Sequence, residues 1–168
     1  MQACSKPTFL YYLDGNKKIY ACGDASNDGW GFIIFQLLRD DLPPDDLSVD
    51  ANNNPIQGKR IIAINSGSFN KEQRKWSTTD QECYAFYKGI MDNKHLLFCR
   101  PFHLITDHLN LVYLTDSESD RVQRYKMALQ VFTIIWVHGK GKGPLLLESD
   151  MLSRIVHDHT GCNHEEEY

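Results

Sequence analysis

The sequence lacks the features of a disulfide-stapled, zinc-binding or membrane-spanning protein. Its five cysteines are scattered, odd in number and without a C-x-x-C pair. Reduced thiols are therefore expected, and a disulfide framework or structural zinc site is not. No apolar run approaches the roughly 20 residues that span a bilayer, and no basic-then-apolar leader opens the chain. We expect a soluble intracellular protein, cytoplasmic or nuclear, that has no membrane partner.

Length and charge narrow the function classes further. A chain of 168 residues suits one domain with tails. Its net charge of −4 argues weakly against nucleic-acid binding, because such domains are often basic. A cluster of catalytic acids together with an acidic loop would also give a negative total, so the location of the basic residues matters more than the sum.

Hydrophobic patterning predicts the element order β-β-β-α-β-α-α-β-α. The predicted strands cover residues 18–23, 30–38, 60–66, 102–106 and 132–137, and the predicted helices begin near residue 77 and cover 109–114, 121–131 and about 147–155. A meander followed by alternating elements indicates an α/β fold, a five-stranded mixed sheet with helices on both faces. Three strands form the antiparallel meander and the others are parallel.

The predicted domain covers residues 18–156, between a lead-in at 1–17 and a polar tail at 157–168. Residues 37–59 contain five aspartates and two consecutive prolines, and we interpret them as an acidic loop insertion.

Local signals add detail within the domain. The Asp28-Gly29 pair favours a hairpin turn, and Gly31 suggests a bulge or a close backbone approach. Thr78 with Gln81, or Thr79 with Glu82, fits a capping box at the start of the first helix.

Four acids have positions that suit a metal site. Asp24 and Asp107 each follow a predicted strand, at the edge where open sheets bind ligands, and Glu82 and Asp150 each lie in the first half of a predicted helix. If these carboxylates converge, cations must offset their repulsion, and oxygen donors favour Mg²⁺ or Mn²⁺ over zinc. Two such ions can act together on a phosphodiester. Because the chain has 22 acidic residues, spacing alone does not separate these four from solvated surface acids.

The sequence blocks around these acids carry more information than their spacing. They are DASNDGWG at 24–31, SGSFNKEQRKWSTTDQE at 66–82, RPF at 100–102 with TDH at 106–108, RY at 124–125 with LQ at 129–130, and DMLSR at 150–154. In this order the blocks resemble the ribonuclease H domain of reverse transcriptases from gypsy-type LTR retrotransposons. The resemblance covers roughly residues 7–155.

That resemblance implies a ribonuclease H-like fold and a two-metal endonuclease that cuts the RNA strand of an RNA–DNA hybrid. It places Asp24, Glu82, Asp107 and Asp150 at the four catalytic, metal-ligating positions, with Asp24 bridging two Mg²⁺ ions for which Mn²⁺ can substitute. The implied partners are the hybrid and a reverse transcriptase polymerase domain or larger complex.

Other residues are weaker candidates, each with a structural alternative. His138, in a predicted glycine-rich loop, matches a histidine that cellular and retroviral ribonucleases H use in proton transfer or product release; the alternative is an exposed loop histidine. The candidate nucleic-acid contacts are Ser26, Arg121, Arg124, Lys140 and Lys142. The basic members of this set form either a phosphate track or a solvated surface.

A second reading belongs to a different functional class. The acidic insertion and the negative charge also fit a domesticated ribonuclease H-like module with a binding or scaffolding role in a larger complex. Such a module has no need for the four carboxylates, whereas an enzyme has.

Overall fold

A computed structural model describes residues 10–42, 50–53, 56–106 and 119–138. Its strands are β1 Ile19–Ala25, β2 Gly29–Leu37, β3 Lys59–Ser68, β4 Phe102–Thr106 and β5 Ile134–His138. Its helices are α1 Thr78–Asp92, α2 Lys94–Leu97 and α3 Asp120–Leu129, with a 3-10 turn at Gln73–Lys75 before α1. None of these helices is long and apolar enough to cross a bilayer. The predicted helices at 109–114 and 147–155 lie outside the described residues.

The five strands form one mixed sheet in the order β3-β2-β1-β4-β5. β1, β2 and β3 pair antiparallel, whereas β4 pairs parallel to β1 and β5 parallel to β4. The predicted meander followed by parallel strands is thereby confirmed. Because β1, β4 and β5 run in the same direction, their C-terminal ends share one edge of the sheet, here called the site edge.

Alternation along β1 separates two hydrophobic clusters on opposite faces of the sheet. Ile19 and Ala21 belong to the larger cluster, to which α1, α2 and α3 all contribute buried side chains. Tyr20 and Cys22 belong to the smaller cluster on the other face, with buried side chains of β2 and β4. The three described helices therefore pack on the first face.

Helix α1 lies very close to the sheet where it crosses β2. A Cβ atom built on Gly89 would lie 2.1 Å from Cγ of Phe32, well inside van der Waals contact. Phe32 is fully buried. The missing side chain at position 89 therefore sets the height of α1 above the sheet, and with it the position of the first turn of this helix.

Two local predictions are wrong in position. The N-cap of α1 is Ser77, whose hydroxyl accepts a hydrogen bond from the Asp80 amide at 3.1 Å; neither Thr78 nor Thr79 is the cap. The register shift between β2 and β3 lies at Ile34/Phe35, whereas Gly31 pairs regularly with Ser66. The extra residue of this shift lies in β3, where Ile62 falls between the partners of Ile34 and Phe35.

The ends of the acidic insertion meet at the edge opposite the site edge. The Leu38 amide donates to the Gly58 carbonyl at 2.8 Å. The Gln57 amide side chain accepts from the Arg39 amide at 3.1 Å and donates to the Arg39 carbonyl at 2.8 Å. Because β2 is antiparallel to β1, the C-terminal end of β2 lies beside the first residue of β1, Ile19. Asp24 is five residues further along β1, which is about 17 Å at roughly 3.3 Å per strand residue.

Candidate active site

Asp24 is the penultimate residue of β1 and is half-buried at the site edge. Its cross-strand partner on β2 is Gly31. Directly opposed residues in an antiparallel pair point to the same face, and glycine has no side chain to cover its neighbour. Gly31 therefore places no side chain over the carboxylate of Asp24.

Glu82 lies in the early part of α1 and is only 4% exposed. Phe86, one helical turn later, packs against the strand residue just before Asp24: a Cβ on Gly23 would lie 3.1 Å from Cδ1 of Phe86. Residues four apart share one face of a helix and are separated by about 6 Å along its axis. Because Phe86 contacts Gly23, Glu82 lies about one helical turn along α1 from the end of β1.

Asp24 and Glu82 approach the site edge from different faces of the sheet. Gly23 faces α1, so strand alternation directs Asp24 to the opposite face, which also carries Tyr20 and Cys22. Glu82 comes from α1 on the first face. A ligand that contacts both carboxylates must therefore lie around the end of the strand.

The ends of β4 and β5 complete this edge. In the parallel register Cys22 lies opposite Ile105, and Thr106 lies opposite His138. His138 is thus the exposed last residue of β5, beside the residue that precedes Asp107, and not a member of the loop in which we predicted it. The predicted ligands Asp107 and Asp150 lie outside the described residues.

Ser26 shapes the hairpin that follows Asp24. Its hydroxyl accepts hydrogen bonds from the Gly29 amide at 3.2 Å and the Asp28 amide at 3.4 Å. Asp28 in turn pairs with Arg74 at 3.4 Å, and its carbonyl accepts from the Phe69 amide at 2.7 Å. These bonds connect the turn after Asp24 to the segment that leads into α1.

The two described basic candidates lie on α3. Arg124 is exposed, and its Nε donates to the Asp120 carbonyl at 3.2 Å. The guanidinium of Arg121 lies 3.9 Å from the ring centroid of Trp76 and 3.3 Å from Oδ2 of Asp80. Lys140 and Lys142 fall beyond the last described residue, 138.

Asp80 is a residue that the sequence analysis did not single out. It is 8% exposed in the first turn of α1, where it contacts both Ser119 and Arg121 of the α3 start. The available signal was Ser77 three residues before Asp80, a variant of the capping pattern. The contact with residues about 40 positions away had no sequence signal.

The donor chemistry of the described site residues suits a hard cation. Asp24 and Glu82 both offer carboxylate oxygens, which Mg²⁺ and Mn²⁺ prefer. Among the residues that the structure describes, no group of three or more His, Cys, Asp or Glu side chains is arranged to hold a metal ion. Two of the four predicted ligands lie outside that part of the chain.

Fold and site together define a class, the ribonuclease H-like proteins, and comparison with known sequences defines the family. Residues 14–132 match the family model described as "RNase H-like domain found in reverse transcriptase", and the chain belongs to this family. Relatives include the Tf2-3 and Tf2-4 transposon polyproteins of Schizosaccharomyces pombe, each 28% identical over 92% of this chain. The chain spans 11% of the length of these polyproteins.

Solved structures agree on the fold. The foamy viral protease-reverse transcriptase in complex with double-stranded DNA matches 79% of this chain with a TM-score of 0.56, and the match covers 25% of that chain. The same viral protein in complex with an RNA/DNA hybrid matches 81% of this chain with a TM-score of 0.54, and the match covers 17% of that chain. Sequence identity is 12% in both cases. The ribonuclease H-like fold is therefore confirmed.

Proposed function

We propose that this chain is a divalent-metal-dependent endonuclease that hydrolyses the RNA strand of RNA–DNA hybrids, as the ribonuclease H domain of a retroelement reverse transcriptase. The observation that carries the proposal is the delivery of Asp24 by β1 and Glu82 by α1 to one sheet edge, in a chain of this family. The origin in a retroelement polyprotein is supported by the Tf2 transposon relatives, and the finer assignment to gypsy-type LTR elements by the five sequence blocks.

The proposed ligand set is Asp24, Glu82, Asp107 and Asp150. Asp107 directly follows Thr106, the last residue of the strand that runs parallel beside β1, so it is proposed to join Asp24. Glu82 is the fifth residue of α1 and is 4% exposed. Two Mg²⁺ ions held by such carboxylates supply, when bound, the polarisation of water and the stabilisation of the leaving oxygen.

The remaining roles follow from position on the site edge. The exposed imidazole of His138, at the end of β5 on the site edge, is proposed to accept or release a proton during the reaction. Ser26, Arg124, Lys140 and Lys142 are proposed to contact the nucleic-acid backbone, which a ribonuclease reads by shape and 2′-hydroxyl groups more than by sequence. The guanidinium of Arg121, the remaining candidate, is engaged with Asp80 and Trp76. The viral neighbour bound to an RNA/DNA hybrid supports the substrate class. The family's occurrence in reverse transcriptase supports a polymerase domain as partner.

The test is cleavage of hybrids labelled separately on the RNA and DNA strands, with duplex RNA and duplex DNA as competitors. The proposal expects Mg²⁺- or Mn²⁺-dependent cleavage of the RNA strand in the hybrid alone. Absence of cleavage over a range of metals and salt concentrations, in protein shown to be folded, overturns it.

The second candidate, a binding or scaffolding module, draws its specific support from the acidic insertion on the opposite edge of the sheet. Calorimetric titration with Mg²⁺ or Mn²⁺ separates the two. An enzyme should bind the ions, and Asp24→Asn should abolish that binding. A folded protein that binds neither ion favours the module.

A further inference from the structure

Asp80 connects the first turns of two helices. Its Oδ1 accepts a hydrogen bond from the Ser119 hydroxyl at 2.5 Å, and its Oδ2 lies 3.3 Å from Nη1 of Arg121. Ser119 is also the N-cap of α3, accepting from the Val122 amide at 3.3 Å. Both carboxylate oxygens of Asp80 therefore contact residues at the start of α3.

The carboxylate of this pair is more shielded from solvent than the carboxylate of the Lys88–Asp92 pair, which also lies in the described part of α1. The side chains of Asp80 and Arg121 are 12% and 34% exposed, and the guanidinium is stacked on Trp76. Lys88 and Asp92, on the same helix, are 40% and 34% exposed. Desolvated, hydrogen-bonded charge pairs hold geometry more firmly than exposed ones, whose energies are near zero to about 1 kcal/mol.

The Asp80 contacts hold one of the two described ends of the connection between β4 and α3. Residues 107–118 connect the end of β4 to Ser119. One end of this connection is held beside β1, which carries Asp24, by the parallel pairing of β4. The other end is held, through Ser119 and Arg121, to the turn of α1 that leads directly to Glu82.

We propose that Asp80, Ser119 and Arg121 form a latch that holds the first turn of α1, and with it Glu82, in place against the start of α3. This inference rests on the proposed function, and it gives Arg121 a role different from phosphate contact. Asp80 and Arg121 are positioning residues: they touch neither metal nor substrate and act through Glu82. Groups that orient metal ligands commonly change activity or metal affinity about 10- to 100-fold when removed.

The test compares Asp80→Asn, Arg121→Gln and their double variant with Asp92→Asn and Lys88→Gln, the same substitutions in the exposed pair of α1. We expect the latch variants to lower kcat about 10- to 100-fold and to raise the Mg²⁺ concentration at half-maximal rate, with KM for the hybrid nearly unchanged. The double variant should lose little more than either single one, because the two residues act as a unit. Arg121→Lys, which keeps the charge, should recover part of the loss.

A different pattern overturns the latch. If Arg121→Gln raises KM and flattens the salt dependence of hybrid binding while Asp80→Asn behaves like Asp92→Asn, Arg121 is a phosphate contact.

Hydrogen exchange separates failure of the latch from failure of the proposed function. Amides at 80–83 should exchange faster in Asp80→Asn, Arg121→Gln and Ser119→Ala than in the control variants, whether or not the wild type cleaves hybrids. Unchanged exchange rejects the latch. Faster exchange in a protein without cleavage supports the latch and rejects the proposed function.

Discussion

Tyr20 is the residue whose burial has the clearest consequence for pH dependence. Burial, and secondarily the negative charge of Asp40, raises the pKa of the Tyr20 phenol above its ordinary value of 10.0. Above pH 10.0 the unfolded chain therefore loses this proton before the folded chain does, and the free energy of unfolding falls as pH rises. Below pH 10.0 both states keep the proton and the contribution is fully present.

We predict that Tyr20→Phe reduces this alkaline loss of stability. The phenyl ring keeps the stacking on Phe35 and His103 but has no proton to lose. Urea unfolding near pH 8 and near pH 11 measures the difference, with exposed Tyr12→Phe as the control. An equal alkaline loss in wild type and Tyr20→Phe would refute the assignment.

Predictions for single residues were accurate where the local backbone requires a particular residue type, as at the N-cap of a helix. The start of α1 was predicted within one residue, because Ser77, Thr78 and Thr79 are all competent caps and only the fold selects Ser77. His138 was assigned to a loop because the glycines after it dominate the local pattern. Its pairing with Thr106 is a non-local contact that no sequence window contains.

At the scale of elements, the contact between α1 and β2 depends on Gly89. We predict that Gly89→Ala destabilises the protein by about 1–3 kcal/mol or more, because the added methyl group overlaps the ring of buried Phe32. Equilibrium unfolding in urea measures the loss. Gly15→Ala is the matched control, since a Cβ there meets nothing within 4 Å, and its effect should stay within about 0.5 kcal/mol. Equal stability of the two variants would contradict the close packing.

The strands were predictable because each is a short apolar run bounded by turn residues. The predicted span of β4, 102–106, is the observed one, and the helix predicted at 121–131 is α3, Asp120–Leu129. Of the two alternatives for Gly31, a bulge or a close backbone approach, the bulge is wrong, because the register shift lies at Ile34/Phe35. Bulge position depends on how β2 and β3 share their cross-strand neighbours, which propensity does not encode.

At the scale of the whole molecule, the two points where the acidic insertion leaves and rejoins the sheet, Leu38 and Gly58, lie at the end opposite the site edge. Positions 39–57 contain five aspartates and one arginine, so replacing them with an Asn-Gly turn between Leu38 and Gly58 removes the net charge of −4. We predict that this deletion keeps kcat within about twofold and lowers KM at low salt, because long-range repulsion of the nucleic acid is reduced and salt screens that repulsion. Steady-state cleavage at two salt concentrations measures both constants.

The undeleted chain assayed in parallel is the reference for that experiment. A large fall in kcat would show that the insertion contributes to the site, contrary to its position. Abolished binding to a partner complex, with cleavage absent in both chains, would favour the scaffolding role.

The global architecture was predictable because the five sequence blocks are specific to one family, while composition alone was not informative. Asp24 and Glu82 were named from those blocks, and their delivery to one edge agrees with the sheet order. The Asp80 latch could not be predicted, since it joins positions about 40 residues apart through side chains that are individually ordinary. The functional roles of all the candidate site residues stay predictions, and Asp107, Asp150, Lys140 and Lys142 also lie outside the described residues.

The most direct test of the central claim compares hybrid cleavage by the wild type, Asp24→Asn and Asp41→Asn. Asp41 is an exposed aspartate paired with Arg39 in the insertion, at the edge opposite Asp24, so its variant controls for the same chemical change. We predict Mg²⁺-dependent cleavage of the RNA strand by the wild type and Asp41→Asn, and none by folded Asp24→Asn. Undiminished cleavage by Asp24→Asn would contradict the proposal that Asp24 is a catalytic metal ligand.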